Sequence, residues 1–368
     1  MKNKIFAVLA TAFLAFGCAA EQEAGPADAV VTESAEAPAD ALAELLDELE
    51  FSGTLLVAKG GDTLLREAVN SAPIDDVQVV QTDTRFAIAS MTKSFTAALV
   101  LKLVDEGKFD LDQTLGELLP DFDVAYSDEV TLRHLLQNRS GIPHYIDIPG
   151  WFETDVKRAF TDESFMETLQ GLELKFPPGR DYLYSNVNYY LLALIIDRYA
   201  GMPYEAYLHV QILDPLGMFA TSQLYQQTDG LAVNYLRSGD GSYEIIPIVN
   251  PVLFRGTASM LSTLDDLQAW GQAVIDGEVY SEAAQREAFN ADTPMAWELG
   301  TLPLSEEQAV DVVYYNGRLI GYLSLIMLLP DQDGVIVILN NNTVGYENML
   351  GIAAMLAMQS FSVEEEGL

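Results

Sequence analysis

Apolar positions along this chain repeat with period two near both ends and with helical spacing in between. SGTLLVAKGGDTLLREA, from Ser52, holds two apolar runs around Lys59-Gly60-Gly61-Asp62 and predicts a β-hairpin. In the last third, AVDVVYYNG, YLSLIMLLP and GVIVILNNN are short β-rich runs, with Asp331-Gln332-Asp333-Gly334 as a turn signal between the last two. Between the two ends, RFAIASMTKSFTAALVLKLVDEGKFDLD from Arg85 places Phe95, Ala98, Leu99, the Lys102 stem and Leu103 at helical spacing, and the pattern stops near Gly107. Further helices are predicted around Ala41–Leu49, from Asn186 to Tyr199 before Gly201 and Pro203, and from Glu347 to about Ser360. Another is expected to start at Leu261-Ser262-Thr263 and to run through Asp265, Asp266 and Trp270. Strands at both ends around a helical middle imply an α/β (α+β) fold: one antiparallel sheet from both chain ends, flanked by helices, plus a mostly helical inserted lobe. The boundaries read as one domain over 41–368, with a sheet lobe of about 41–85 and 260–368 and a helical lobe of about 86–259.

Composition changes this picture little for the body and more for the start of the chain. A 368-residue chain that is 49% hydrophobic and 20% charged is ordinary globular material. Its formal charge of −36, from 55 acids against 19 bases, argues against a nucleic-acid partner and against charge-driven adhesion to anionic lipid. Lys2 and Lys4 precede an apolar stretch from Ile5 to Phe16, too short to span a bilayer as a mature helix. The single cysteine, Cys18, follows directly in LAFGCAA, an arrangement that resembles a bacterial lipoprotein signal. The expectation is a signal peptide over 1–17 and lipidation at Cys18, with ordinary secretory cleavage near Ala20 as the alternative. Both outcomes export the chain to the bacterial envelope, and in the lipidated form, facing the periplasm, the lipid is the only membrane contact. Residues 19–40 carry six acids and no bases, so 18–40 reads as an acidic, flexible linker.

The chemistry centres on Ser90-Met91-Thr92-Lys93. If Ser90 opens the helix, Lys93 lies one turn on and on the same face, where amine and hydroxyl meet. A serine hydroxyl is a poor nucleophile until a neighbour takes its proton. Lysine takes it only when uncharged, so its pKa must fall from about 10.4 to roughly 7–8 through burial, nearby positive charge and the helix dipole. Ser-x-x-Lys alone is a weak signal, since an N-cap serine followed by a solvated lysine has the same spacing. Tyr184-Ser185-Asn186 is a second candidate, in a Pro-Gly turn just before a buried helix. There a phenol can relay a proton, and an asparagine amide can hold both Lys93 and a substrate carbonyl. The alternative is an aromatic packed on a helix start, with Asn186 as its cap. His134, His144 and His209 read as structural, because no Gly-x-Ser-x-Gly elbow accompanies them. No His/Cys/Asp cluster has metal-ligand spacing, so no metal or cofactor is expected.

Taken in order, FAIASMTKSFTA, LLQNRSGIPHY, FPPGRDYLYSN, ILDPLGM from Ile212 and LSTLDDL from Leu261 resemble the serine β-lactamase and penicillin-binding protein superfamily. The likeness is to its class C β-lactamase, D,D-carboxypeptidase and esterase branch, and it spans roughly residues 50–360. It implies a β-lactamase/transpeptidase-like fold, with Ser90 as the acylated nucleophile, Lys93 as general base and Tyr184 as second proton-transfer group. Asn186 matches the third residue of the second motif. The third motif departs from the family. Anchored on Gly321-Tyr322, it reads Tyr315-Asn316-Gly317, with a tyrosine where the family has lysine or histidine. Gly317 still allows close approach to the strand. The resemblance makes the N–H groups of Ser90 and Arg318 the oxyanion donors. The missing cation is the group that helps bind the carboxylate of β-lactams and D-Ala-D-Ala peptides. Strand alternation points the Arg318 side chain away from position 317. Asn138 stands where the family often has histidine.

The expected activity is that of an exported serine hydrolase acting on a small-molecule or peptide ester or amide, with esters and neutral acyl groups favoured because of Tyr315. D,D-carboxypeptidase, other peptidase, acyl-transfer and β-lactamase outcomes stay open, because one fold hosts them all. A non-catalytic envelope binding or sensor protein is the alternative of another class. The altered third motif favours it, and intact Ser90, Lys93 and Tyr184 oppose it. Nothing in the sequence sets an oligomeric state.

Overall fold

The computed structural model describes residues 39–72, 79–148, 161–237, 241–246, 251–305, 307–342 and 344–362. The expected signal segment, Cys18, most of the acidic linker and the acidic tail lie outside the described residues. Helix α1 (Ala39–Glu48) starts inside the expected linker, because the good helix formers of ALAELLDE continue back into it. Strands β1 (Ser52–Lys59) and β2 (Asp62–Asn70) form the expected hairpin. Its two-residue turn has φ of 58° at Gly60 and 79° at Gly61, a pair of left-handed residues that fits the twist of the flanking strands.

Strand β3 (Phe86–Ala87) leads through a 3₁₀ turn (Ala89–Met91) into α2 (Thr92–Asp105). The middle holds α3 (Leu115–Leu118), α4 (Leu132–Leu136), α5 (Asp162–Leu169), α6 (Asn186–Ala200) and α7 (Tyr204–Leu208). Their starts follow side-chain chemistry: Thr131 and His134 form a capping box on α4, and Ser185, not Asn186, caps α6. The expected helical insert also contains strands β4 (Ser222–Gln223), β5 (Tyr235–Arg237) and β6 (Tyr243–Ile245), and β7 (Met260–Ser262) follows directly after it. Strands of two or three residues carry no readable period. The expected helix start at Leu261 is therefore corrected. Leu261 and Ser262 belong to β7, which pairs with β3 and β4, and helix α8 (Leu264–Ile275) begins after its cap Thr263. Helix α9 (Glu282–Ala288) follows.

The chain then returns through β8 (Glu298–Pro303), β9 (Ala309–Leu319), β10 (Tyr322–Leu329), β11 (Gly334–Asn340) and α10 (Tyr346–Phe361). The six-stranded sheet has the order β2-β1-β11-β10-β9-β8, with every neighbouring pair antiparallel. Both chain ends thus build one sheet, as the patterning implied. β10 and β11 are buried along their whole length, because helices cover both faces. Leu56, Ile326, Leu328, Val337 and Leu339 share one core with α2, α6 and α8, in which Phe95 stacks on Trp270 at 4.1 Å. Leu55, Leu325, Met327, Ile336 and Ile338 share the other with α1 and α10. Each such side chain contributes about 1.5–3 kcal/mol on burial. Helix α2 is buried nearly all round, including Thr92, Lys93, Ser94 and Thr96, so it runs through the molecule's interior and not along its surface.

Candidate active site

The turn that carries Ser90 is clamped between two sheets. Ile88 N–H donates to the Met260 carbonyl at 3.0 Å, tying the turn to β7. On the other side, Ser324 Oγ on β10 donates to the Ile88 carbonyl at 2.7 Å. Gly317 on β9 lies against the same turn: a Cβ there would sit 2.0 Å from Ile88 O and 2.9 Å from Ser90 N. Between strand and helix, buried Ala89 adopts φ 48°, a left-handed conformation that costs an L-residue about 1–2 kcal/mol. The result is a half-buried Ser90 at the start of α2, facing β9.

Lys93 is fully buried, and Nζ donates to Ser90 Oγ at 3.2 Å and to the Thr257 carbonyl at 2.9 Å. Desolvation holds its pKa well below the ordinary lysine value, the direction a general base requires. The amine also sits over two aromatic rings, 4.8 Å from the centroid of Tyr184 and 5.7 Å from that of Tyr189. Tyr184 Oη lies 2.6 Å from Ser90 Oγ, although the two residues are 94 positions apart in the chain. Serine, amine and phenol therefore meet at one point, between half-buried Ser90 and half-buried Tyr184.

Asn186 is adjacent but differs from expectation. Its Nδ2 donates to Tyr145 Oη at 2.9 Å, and its Oδ1 is buried without a hydrogen-bond partner. The carbonyl of Thr257, and not the Asn186 amide, is the second acceptor for Lys93. His144, read as structural from the sequence, and Tyr145, which the sequence did not single out, join the site here. The His144 ring lies 6.2 Å from Tyr184 in a near-parallel stack and 4.5 Å from Tyr145 edge-on. Burial, with the neighbouring Lys93 charge, pushes His144 down to about 3, so it stays uncharged at neutral pH. The signal was the Ile-Pro-His-Tyr run directly after Ser140-Gly141, an aromatic pair in a tight loop. Asn138, by contrast, is a structural hub. At φ 53° its Oδ1 accepts from Ser185 N at 3.2 Å and Asn188 Nδ2 at 2.9 Å, fixing the start of α6.

Tyr315 and Gly317 share the face of β9 that looks toward the serine. Tyr315 is buried against Trp297, ring centroids 6.4 Å apart, and burial with nearby Tyr184 and Tyr189 keeps its phenol protonated. Arg318 is exposed, and alternation places its side chain on the opposite face. β8 pairs with β9 only as far as Tyr314, so residues 315–319 form an open strand edge. The two-residue turn Ile320-Gly321 joins Leu319 to Tyr322. Counting back from that turn, the Arg318 N–H points out along the open edge and not into the β9–β10 ladder. Among the other histidines, His134 Nδ1 accepts the Thr131 N–H at 3.2 Å and His209 lies 3.3 Å from Asp214; neither takes part in the site.

This fold, with serine and lysine one turn apart and a tyrosine from a second segment, defines a serine-hydrolase class of protein. The Beta-lactamase family profile matches residues 39–357, and the chain belongs to that family. Penicillin-binding protein 4* of Bacillus subtilis (strain 168) is 27% identical over 315 residues, which cover 79% of this chain and 68% of that protein. Protein flp of Staphylococcus aureus (strain NCTC 8325 / PS 47) is 28% identical over 309 residues, covering 79% of this chain and 59% of flp. The chain thus spans only part of these relatives' length. Among solved structures, a D-stereospecific amidohydrolase from Streptomyces sp. superposes with a TM-score of 0.71 at 22% identity, covering 88% of this chain and 99% of its own. The penicillin-binding protein from Bacillus halodurans gives 0.70 at 23% identity, with coverages of 85% and 99%. Likeness at that identity speaks for the fold.

Proposed function

We propose that the protein is a serine hydrolase that forms an acyl-enzyme on Ser90 and acts by preference on esters or other neutral acyl substrates. The observation that carries this reading is the contact of Ser90 Oγ with Tyr184 Oη at 2.6 Å and with a fully desolvated Lys93 amine at 3.2 Å. In the acylation step, uncharged Lys93 takes the Ser90 proton as Oγ bonds to the carbonyl carbon. The N–H groups of Ser90 and Arg318 bind the resulting oxyanion. As the intermediate collapses, the bond to the leaving group breaks, Tyr184 gives the leaving group its proton, and Lys93 returns to the phenolate the proton it took from Ser90. Water then adds to the acyl carbon by the reverse sequence and frees the acid.

The substrate preference rests on charge. Tyr315 is buried and neutral where the family carries a cation, His144 is neutral, and the Arg318 side chain lies on the other face of β9. A carboxylate-bearing substrate would find no partner at these positions and would lose its hydration. Comparing p-nitrophenyl butyrate with a D-Ala-D-Ala peptide tests this: faster ester turnover is expected, and faster peptide cleavage would remove the argument from Tyr315. Export and lipidation at Cys18 belong to the same proposal. Metabolic labelling with a palmitate analogue should mark the wild type and not Cys18→Ser.

A further inference from the structure

Helix α2 presents two polar side chains one turn apart to a single loop. Lys93 Nζ donates to the Thr257 carbonyl at 2.9 Å, and Thr96 Oγ1 donates to the Gly256 carbonyl at 2.8 Å. The loop presses closely on α6. Gly256 has φ 68°, and a Cβ there would stand 2.8 Å from Ala193 Cβ and 2.9 Å from Tyr189 O, so no side chain fits between loop and helix.

The next residue back is Arg255, which is itself buried. Its guanidinium grips Asp197 on α6 with two bonds of 2.7 Å, and Glu205 on α7 through Nε at 2.8 Å. Burial disfavours this charge, but the two carboxylates outweigh that and hold the arginine firmly protonated. The Tyr204 ring lies 5.7 Å from the guanidinium carbon, and the Tyr204 hydroxyl meets Thr96 Oγ1 at 2.9 Å. Tyr225 donates to Glu205 from the other side. The cluster borders an open cleft of about 710 Å³, so this chain of contacts runs from the surface to the amine of Lys93. Replacing buried ion clusters with apolar side chains is often neutral or stabilising, so the role of such a cluster lies in the geometry it enforces.

We propose that Arg255 is a positioning residue for the general base. By fixing residues 255–257 against α6 and α7, it aims the Thr257 carbonyl at Lys93 and keeps water from the amine. The inference rests on the reading of Lys93 as base. The groups facing Lys93 are the Ser90 hydroxyl, the Tyr184 and Tyr189 rings and neutral His144; among the described residues no carboxylate contributes to its shift. Desolvation is what lowers the pKa of the amine, so loosening the loop admits water and returns it toward the ordinary lysine value.

The test is the pH profile of kcat/KM for Arg255→Met, Arg255→Lys and Thr96→Val, with Ser90 labelling of the wild type by a fluorophosphonate as the control. Arg255→Met should lower kcat at pH 7 by about tenfold to a hundredfold with KM little changed. Its acid limb should move to higher pH, and activity should recover partly in alkaline buffer. Arg255→Lys should fall in between, and Thr96→Val, nearly isosteric, should move the limb in the same direction by less. An unmoved limb in Thr96→Val overturns the proposal even if Arg255→Met fails to fold. A uniform loss across pH in folded Arg255→Met also overturns it, because it would mark a purely structural role. An unlabelled wild type would instead end the reading of Ser90 and Lys93 on which the inference stands.

Discussion

Gly317→Ala isolates the packing of β9 against the nucleophile turn. Gly317 is not in the left-handed region, so an alanine there meets no backbone penalty and its effect is purely one of space. The new methyl would sit 2.0 Å from Ile88 O, 2.6 Å from Ser324 Oγ and 2.9 Å from Ser90 N, where ordinary contact starts at 3.4 Å. The Ser324 hydroxyl can rotate away. Ile88 and Ser90 are backbone, and Ile88 N is fixed to Met260 O at 3.0 Å. The turn must therefore shift away from β9 by an ångström or so, at an overpacking cost of about 1–3 kcal/mol. Misplacing a nucleophile by roughly 1 Å costs about a hundredfold in rate, and the oxyanion donor at Ser90 N moves with it. Thermal denaturation by circular dichroism measures the first effect, and the rate of Ser90 labelling by a fluorophosphonate measures the second. A folded Gly317→Ala protein labelled within about threefold of the wild-type rate would refute the argument that β9 sets the position of the serine.

Lys93→Met should lower kcat by about 10²–10⁴-fold and raise stability at pH 7 by about 0.5–2 kcal/mol, read from guanidinium melts. The stability gain has a pH signature. The folded amine has a lowered pKa, so between that value and about 10.4 the unfolded state binds more protons, and wild-type stability rises with pH; the advantage of methionine should shrink as pH approaches 10. In the wild type, kcat/KM should fall as pH drops through the Lys93 pKa, with an acid limb well below the ordinary lysine range in a pH-rate profile. Asn138→Ala strands the Ser185 N–H and the Asn188 amide and forces alanine into φ 53°, so it should cost about 2–4 kcal/mol in a denaturant melt, of which Asn138→Gly recovers the backbone part.

What the sequence made legible was local. The helix from Asn186 is legible to within a residue or so, whereas its cap, Ser185, and the cap of α8, Thr263, emerge only from the structure. The Gly60-Gly61 turn and the apolar runs of β10 and β11 are equally direct. β8 was missed because ELGTLP, at a partly exposed edge, mixes glycine and proline with few apolar positions. Helical spacing put Lys93 beside Ser90, but only the likeness to a known family brought Tyr184 to them across 94 residues. The contacts that lie outside any motif stayed hidden. A backbone carbonyl such as that of Thr257 has no letter in the sequence, and the clamp of Arg255 on Asp197 and Glu205 depends on how α6 and α7 pack. Asn186 illustrates the same limit, since its partner Tyr145 lies 41 residues away in a loop.

The most direct test of the account is intact-protein mass spectrometry after brief incubation with p-nitrophenyl butyrate and an acid quench. The wild type should carry a butyryl group that peptide mapping places on Ser90 and that disappears as turnover completes, while Ser90→Ala stays unmodified and inactive. Ester hydrolysis at an undiminished rate by Ser90→Ala, or an acyl group on any other residue of the wild type, would contradict it.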